Sequence, residues 1–378
     1  MGRFEYKNRN GNARDVLELE PLEGRVLLSG DLLDWTVITP LPLGLDGVAT
    51  SVDENSELTV LYLESNTIEY TEADGDIFKI SFRLPGTIAF TTNSVDDDGN
   101  VAGSKIGIDI MSPKATGSLK ITDTNDDVGD GVINIQWLNI TGEGFGSIKC
   151  PGDIAVLNAE GPLKTIKVDG QIDNAYVDGA IKNIKFYDDV NGTNIIADSI
   201  RNITAKGDLN SANILTDQGG VRSISVKGDM LDLDLDAAGE VKTIKVKGNL
   251  DGDISVDTLL GRVSAGGDIT GISWNVIDDQ NQGILGKLKA KGSITIVDLD
   301  VQGSIKKIVS GNSNVNGLIS GSFSASGEMG SVKVFGDLDA SLFSGHMFKS
   351  ISVSQGDADN AELFVFGMLV DKGIIKVK

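Results

Sequence analysis

One short phrase recurs through the second half of the chain and constrains the fold more than any other feature. It runs apolar, Lys/Arg, small, Ile/Val, any residue, Val/Ala, any residue, Gly, Asp/Asn, as in "VKTIKVKGN" at 241–249. Other copies begin at residues 163, 181, 200, 221, 261, 286, 305, 330 and 348. Because self-similarity at a fixed short period is typical of repeat architectures, the phrase predicts a solenoid.

Each copy has the pattern of a short strand followed by a turn. Ile244 and Val246 alternate with Lys245 and Lys247, which is the period of two that a half-buried strand shows. A second strand pattern follows the turn, as in "LDGDISVD" at 250–257. We expect the phrase glycine to supply the positive φ of a tight corner, where Asp or Asn tolerates similar geometry. By subtraction of their numbers, successive phrase glycines are 21, 20 and 19 residues apart at Gly207, Gly228, Gly248 and Gly267.

These patterns predict an all-β fold, a parallel β-solenoid (β-helix) with coils of about 20 residues. Equivalent residues of successive coils would lie about 4.8 Å apart and form columns. One predicted column is basic, namely Lys164, Lys182, Arg201, Arg222, Lys242, Lys306 and Lys349. Another holds the turn carboxylates Asp208, Asp229, Asp268 and Asp337, interrupted by Asn249 and Ser293. The alternative is an antiparallel sandwich, although a sandwich gives no reason to repeat one phrase at one phase.

Charge and cysteine content limit the classes of partner. The formal net charge of −22 favours an acidic, soluble surface and disfavours nucleic acid as a partner. The one cysteine, Cys150, permits neither an intramolecular disulfide nor a cysteine zinc site, so we expect a buried small apolar residue. No apolar run is long enough for a membrane span.

The start of the chain carries a family resemblance. The stretch "LELEPLEGRVLLSG" at 17–30 resembles the LEPR-XLL motif found at the N-termini of large secreted surface proteins from planctomycete-type bacteria. The matching residues are Leu19, Glu20, Leu22, Glu23, Arg25, Leu27, Leu28 and Ser29. No arginine follows Pro21 directly, so the shortest form of the motif is interrupted. The resemblance covers only this segment and implies a role in export or surface attachment.

A second stretch, "YTEADGDIFKISFRLPGT" at 70–87, is similar to D-A-D-G-D … G-P-G-T segments that recur in the same kind of surface protein. From its residues alone the stretch predicts a β-hairpin. Asp74-Gly75 supplies the turn, and "IFKISFRL" alternates as a strand does.

The chain therefore divides into three predicted parts. Residues 1–36 form an N-terminal segment for which the resemblance implies export or attachment. Residues 37–141 form a β-rich N-terminal cap or the first irregular coils, since an open solenoid end would present unpaired strand edges. Residues 142–378 form the β-solenoid repeats.

Two acidic loops are candidate calcium sites. Oxygen-bearing side chains at alternate positions suit calcium, which accepts six to eight oxygen ligands. The candidate ligands in "DDDGN" at 96–100 and "DTNDDVGDG" at 123–131 are Asp96, Asp98, Asp123, Asn125, Asp127 and Asp130. The second loop is no EF-hand, because Val128 holds the sixth place and Asn134 the twelfth. The alternative is an acidic solvated turn.

The sequence offers little for catalysis. His346 is the only histidine, so no cluster of histidine ligands can form and a Ser-His-Asp triad would depend on that residue. A carbohydrate-binding or polysaccharide-lyase-like solenoid is the alternative. It would use loop material at 272–285 and 313–328, with Trp274 stacking on a sugar. Most coils are otherwise tight.

We therefore expect a non-catalytic secreted or cell-surface protein, a β-solenoid with a structural or adhesive role. The apolar C-terminal stretch "AELFVFGMLVDKGIIKVK" (361–378) has no evident polar cap, so copies could stack head-to-tail into a filament. The expected partners are further copies of the chain and cell-surface or extracellular matrix components, carbohydrate among them. The expected location is extracellular or on the cell surface.

Overall fold

The computed structural model describes residues 67–83, 87–95, 101–112, 116–124, 130–278, 280 and 282–365, together with the strand residues 3–4, 17–18, 49–52, 58–62, 368–369 and 375–377. Within these residues every regular element is a β-strand, and no helix is present that could cross a membrane.

The strands are numbered in chain order. The leading strands are β1 Arg3–Phe4, β2 Leu17–Glu18, β3 Ala49–Val52, β4 Leu58–Tyr62, β5 Thr67–Glu72, β6 Ile77–Arg83, β7 Thr87–Val95, β8 Val101–Ser112 and β9 Ser118–Asp123. The next are β10 Asn134–Gly142, β11 Phe145–Cys150, β12 Asp153–Ala159, β13 Leu163–Val168, β14 Ile172–Phe186, β15 Val190–Ala205, β16 Leu209–Thr216, β17 Val221–Val226, β18 Met230–Ala237, β19 Val241–Val246, β20 Leu250–Asp257 and β21 Leu259–Ala265. The last are β22 Ile269–Ile277, β23 Gly283–Ala290, β24 Ile294–Val301, β25 Gly303–Ser310, β26 Ile319–Ala325, β27 Met329–Phe335, β28 Leu338–Ser344, β29 Phe348–Ser354, β30 Glu362–Val365, β31 Met368–Leu369 and β32 Ile375–Val377.

From β10 onward the chain winds as a parallel β-solenoid of about 12 turns. Each coil contributes one strand to each of two parallel sheets. Strands β14 and β15 each turn a corner and belong to both sheets. Sheet 1 contains the other odd-numbered strands from β11 to β29, β32, and the parts of β14 and β15 after their corners (181–186 and 200–205). Sheet 2 contains the other even-numbered strands from β10 to β30 and the parts of β14 and β15 before their corners. The predicted solenoid is confirmed. The alternative of an antiparallel sandwich is wrong, because neighbouring strands within each of the two sheets pair in parallel.

The core is a set of aliphatic columns between the two sheets. The central phrase position of sheet 1 is fully or almost fully buried in coil after coil, at Ile148, Ile166, Ile184, Ile203, Ile224, Ile244, Val263, Leu288, Ile308, Val332 and Ile351. Cys150 belongs to a neighbouring column, in register with Val168, and is completely buried as predicted. Burial raises the pKa of its thiol to about 12.

The leading strands extend both sheets in a different pattern. β6 pairs antiparallel with β5 and with β9, and β9 pairs in parallel with β11 of sheet 1. β7 pairs antiparallel with β4 and with β8, and β8 pairs in parallel with β10 of sheet 2. The hairpin predicted within 70–87 is confirmed as β5 and β6, and Gly75 in its turn has a φ of +103°.

The longest coils contain less loop than their sequence intervals suggested. Residues 272–277 belong to β22 and residues 319–325 to β26, so the expectation that 272–285 and 313–328 are loops is wrong for much of both ranges. Strand β22 runs nine residues before the chain leaves the sheet. Interval length alone did not distinguish a longer strand from a longer loop.

Candidate functional site

All the charge on the outer surface of the sheet 1 strands from β11 to β29 is positive. Alternate residues of each strand face the core, and the residues between them face outward. No strand segment of sheet 1 in this range contains Asp or Glu. Their charged residues are Lys149, Lys164, Lys167, Lys182, Lys185, Arg201, Arg222, Lys242, Lys245, Arg262, Lys287, Lys289, Lys306, Lys307, Lys333 and Lys349.

Sheet 2 has the opposite charge. No strand segment of sheet 2 from β10 to β30 contains Lys or Arg. Their charged residues are Asp153, Asp173, Asp178, Asp198, Asp232, Asp234, Asp236, Asp251, Asp253, Asp257, Asp298, Asp300, Asp339 and Glu362. The solenoid therefore carries a basic surface on sheet 1 and an acidic surface on sheet 2.

Strand register arranges these charges in columns. The predicted basic column is confirmed: Lys164, Lys182, Arg201, Arg222 and Lys242 follow one another in successive coils. Gly261, Gly286 and Gly330 occupy the same position in later coils, where Lys306 and Lys349 continue the column. The neighbouring column contains Arg262 and Lys287 in the coils of Gly261 and Gly286, and Lys307 beside Lys306 in the next coil.

Little of the charge on sheet 1 is neutralised within the chain. Lys242 Nζ lies 2.7 Å from Glu240 Oε1, and Lys349 Nζ lies 3.2 Å from Glu328 Oε2. Glu240 lies at the corner before β19, the strand of Lys242, whereas Glu328 lies at the corner before β27, one coil earlier than Lys349. No other Lys or Arg of sheet 1 forms an ion pair with a residue that the structure describes.

Burial and neighbouring like charges together shift one pKa value on each sheet. Partial burial, followed by the charges of Lys289, Arg262 and Lys307, lowers the pKa of Lys287 on sheet 1. Burial and the charges of Asp217 and Asp178 raise the pKa of Asp198 at the edge of sheet 2. An opposite charge brought to either surface would relieve this repulsion.

The turn carboxylates have a structural role. Asp208 Oδ1 accepts the backbone N–H of Asp229 at 2.7 Å, and Asp229 Oδ1 accepts that of Asn249 at 2.6 Å. The predicted column of turn residues is confirmed, but Asn249 and Ser293 do not interrupt it. Asn249 Oδ1 accepts the N–H of Asp268 and Ser293 Oγ that of Leu318. Each side chain thus satisfies a corner N–H one coil later.

Five phrase glycines serve this ladder and not a positive φ. None of Gly207, Gly228, Gly248, Gly267 and Gly292 has a positive φ, so the expectation of a left-handed corner is wrong at these positions. It is confirmed at Gly311 and Gly336, whose φ values are +72° and +135°. A Cβ on Gly228 would lie 1.9 Å from Asp208 Oδ1, and one on Gly248 would lie 1.9 Å from Asp229 Oδ1. Glycine is required because the Asp oxygen of the preceding coil passes over it.

Trp274 does not form a sugar platform. Its side chain is completely buried in β22, and its Nε1 donates to the backbone oxygen of Gly252 at 2.7 Å. The interpretation of Trp274 as a stacking residue is therefore wrong. It is a core residue because the strand pleat directs it inward, between the two sheets.

The predicted calcium ligands are only partly within the described residues. Asp96, Asp98, Asn125 and Asp127 lie outside them. Asp123 and Asp130 lie next to the hairpin of β5 and β6. Asp123 pairs with Phe78 of β6, and Asp76 Oδ2 of the hairpin accepts the backbone N–H of Asp130 at 3.0 Å.

Sequence reasoning missed an acidic group in that hairpin. Glu72, Asp74 and Asp76 each place a carboxylate oxygen so that the three oxygens lie within 4.8 Å of one another. The sequence does indicate this group, because carboxylates occupy alternate positions in "EADGD" (72–76), as oxygen-bearing side chains do in 123–127.

Comparisons with known proteins give no further guide to function. No family model, curated protein or solved structure matches this chain.

Proposed function

We propose that this chain is a non-catalytic structural β-solenoid, exported to the cell surface or extracellular space, whose copies associate side by side. In this assembly, sheet 1 of one copy lies against sheet 2 of the next. The observation that carries the proposal is the complete segregation of charge between the two sheets from β11 to β30.

The two surfaces match in period as well as in sign. Both belong to the same coils, so both repeat at about 4.8 Å along the rod. A column of lysines on one copy can therefore remain in step with a column of aspartates on another over many coils. Each exposed ion pair contributes only about 0–1 kcal/mol, so the association depends on many pairs acting together.

The area available is sufficient for a stable contact. About 12 coils give each sheet a length of roughly 55 Å, and strands of about six residues give a width of about 20 Å. The resulting face of about 1,100 Å² exceeds the roughly 800 Å² that each partner buries in a standard interface.

The proposed contact joins two different surfaces and therefore does not close on itself. Each copy in a pair retains one unused sheet, which can accept another copy. The product is an open stack of solenoids, a lateral arrangement distinct from the head-to-tail filament expected from 361–378. That end-to-end contact stays a prediction, because residues 366–367, 370–374 and 378 lie outside the described residues.

Export is supported by the resemblance of 17–30 to the LEPR-XLL motif. If this segment directs export or attachment, deletion of 17–30 will remove the protein from the cell surface and leave the folded solenoid inside the producing cell. Unchanged surface display of the deletion variant would contradict this part of the proposal.

Charge reversal on each sheet tests the assembly. Arg222→Glu with Lys245→Glu reverses two exposed residues of sheet 1, and Asp234→Lys with Asp236→Lys reverses two of sheet 2. Each double variant alone should associate less than the unchanged protein in sedimentation at low ionic strength, because each presents like charges to its own partner surface. A mixture should recover association, since reversed sheet 1 then meets reversed sheet 2.

A control separates sheet pairing from net charge. Glu143→Lys changes an exposed corner residue between β10 and β11 and should leave association unchanged. The proposal is contradicted if the two double variants associate as the unchanged protein does, or if their mixture shows no recovery. Binding of soluble polyanions by sheet 1 without any self-association would also contradict it.

A further inference from the structure

The hairpin between β5 and β6 contains two buried carboxylates with unsatisfied oxygens. Glu72 is 7 % exposed and Asp76 is 0 % exposed. Glu72 Oε2 and Asp76 Oδ1 have no hydrogen-bond partner among the residues that the structure describes. Buried polar atoms normally have partners, because an unpaired buried carboxylate oxygen is costly. These two oxygens therefore point to a ligand of positive charge.

The remaining contacts of the hairpin fix these carboxylates in place. Asp76 Oδ2 accepts backbone N–H groups from Asp130 at 3.0 Å and Gly131 at 2.7 Å. The backbone N–H of Glu72 donates to the backbone carbonyl oxygen of Asp76 at 2.8 Å, and this hydrogen bond closes the turn. Asp74 is exposed and completes the group from the solvent side. The hairpin is thus tied to the segment that leads into β10, the first strand of sheet 2.

The spacing of the three oxygens suits one metal ion. Oxygens bound to one calcium at about 2.4 Å can be up to about 4.8 Å apart. The carboxylate oxygens of Glu72, Asp74 and Asp76 lie within 4.8 Å of one another. Calcium accepts several carboxylates with water completing the shell, whereas magnesium usually keeps most of its waters and takes one or two carboxylates. Three converging carboxylates therefore favour calcium.

The electrostatics of the hairpin agree with the geometry. Burial, together with the negative charges of Asp74 and Asp130, raises the pKa of Glu72 to about 7, against the hydrogen bonds from Asn134 that lower it. A bound cation would offset the repulsion among these carboxylates.

We propose that Glu72, Asp74 and Asp76 bind one calcium ion, which ties the β5–β6 hairpin to the beginning of the solenoid. The site is distinct from the two loops in which the sequence suggested calcium ligands. It is also independent of the sheet-to-sheet assembly proposed above, because none of its residues lies on the solenoid strands from β10 onward.

Calorimetric titration of the full chain with calcium chloride tests the site. We expect binding at the hairpin and a rise of several degrees in the thermal midpoint, reversed by a chelator. Asp76→Asn and Glu72→Gln should each weaken the hairpin binding at least tenfold while keeping the side-chain shape. Asp298→Asn, an exposed acid of sheet 2, should leave it unchanged.

Two outcomes of these titrations would contradict the proposed calcium site. The proposal is overturned if calcium gives neither heat nor a shift in the thermal midpoint, or if both hairpin variants bind as tightly as the unchanged protein. The second outcome would place calcium in another acidic segment. If Asp76→Asn does not fold, Glu72→Gln decides, since that variant leaves both backbone contacts of Asp76 in place.

Discussion

From Gly207-Asp208 to Gly292-Ser293, the side-chain oxygen at each phrase turn accepts the backbone N–H of the equivalent residue one coil later. The residue before it is glycine, because the oxygen from the preceding coil occupies the place of a Cβ. The Gly-Asp pair is therefore a single structural unit shared between coils. Its chemical requirement is an acceptor oxygen at the second position, which explains why Asn249 and Ser293 replace Asp without a break in the ladder.

Removing one oxygen of the ladder should destabilise the protein measurably. Asp229→Ala leaves the N–H of Asn249 without its acceptor, and we expect a loss of about 0.5–1.5 kcal/mol in the free energy of unfolding. Asp229→Asn keeps an acceptor oxygen and should cost less. Urea denaturation of both variants measures the difference. Equal losses for Ala and Asn would show that the hydrogen bond does not stabilise the turn.

At the scale of the strand, glycine limits where the basic column can continue. Gly286 occupies the position of Lys242 and Lys306, but a Cβ there would lie 2.2 Å from the backbone oxygen of Gly261. Ser225 lies in a different outward column, between Thr204 and Lys245. The two positions therefore differ in the room they offer a lysine.

A pair of substitutions tests this difference. Gly286→Lys should destabilise the protein by about 1–3 kcal/mol through overpacking, although it adds a lysine to a lysine column. Ser225→Lys should change the free energy of unfolding by about 0.5 kcal/mol or less, as surface substitutions usually do. Denaturant unfolding compares them. Similar stabilities for the two variants would contradict the close approach at Gly286.

The crowding of charge on sheet 1 has a consequence for titration. Lys289 is one of the positive charges that lower the pKa of Lys287. Lys289→Gln should raise the pKa of Lys287 towards the ordinary lysine value, because removing a positive neighbour favours the protonated form. NMR titration of labelled lysine side chains measures this. An unchanged or lower pKa in the variant would show that the neighbouring charge has no influence.

The sequence predicted the strands, the solenoid and the basic column, because these follow from one periodic phrase. It did not reveal the reason for the glycines, since the blocking oxygen belongs to another coil. Trp274 was misassigned because its long interval was read as loop. The acidic surface of sheet 2 was missed because the second strand of each coil has no consensus, although its lack of Lys and Arg is visible in "MLDLDLDA" (230–237) and "LDGDISVD" (250–257).

At the scale of the whole molecule, the chain is a rod with surfaces of opposite sign. The net charge of −22 opposes the approach of two copies at long range, while the two sheets attract at short range. At about 0.1 M salt the Debye length of about 10 Å screens the long-range repulsion more than the short-range attraction, and at about 1 M salt the Debye length of about 3 Å screens both. Association between sheets should therefore be strong at low and moderate salt and weak at high salt.

The most direct test of this account is sedimentation velocity of the unchanged protein over a range of concentrations at two ionic strengths. In about 0.05 M salt we expect the sedimentation coefficient to rise with concentration as copies stack, and in about 1 M salt we expect it to return to that of a monomer. A single monomeric species at every concentration in both salts would contradict the pairing of sheet 1 with sheet 2.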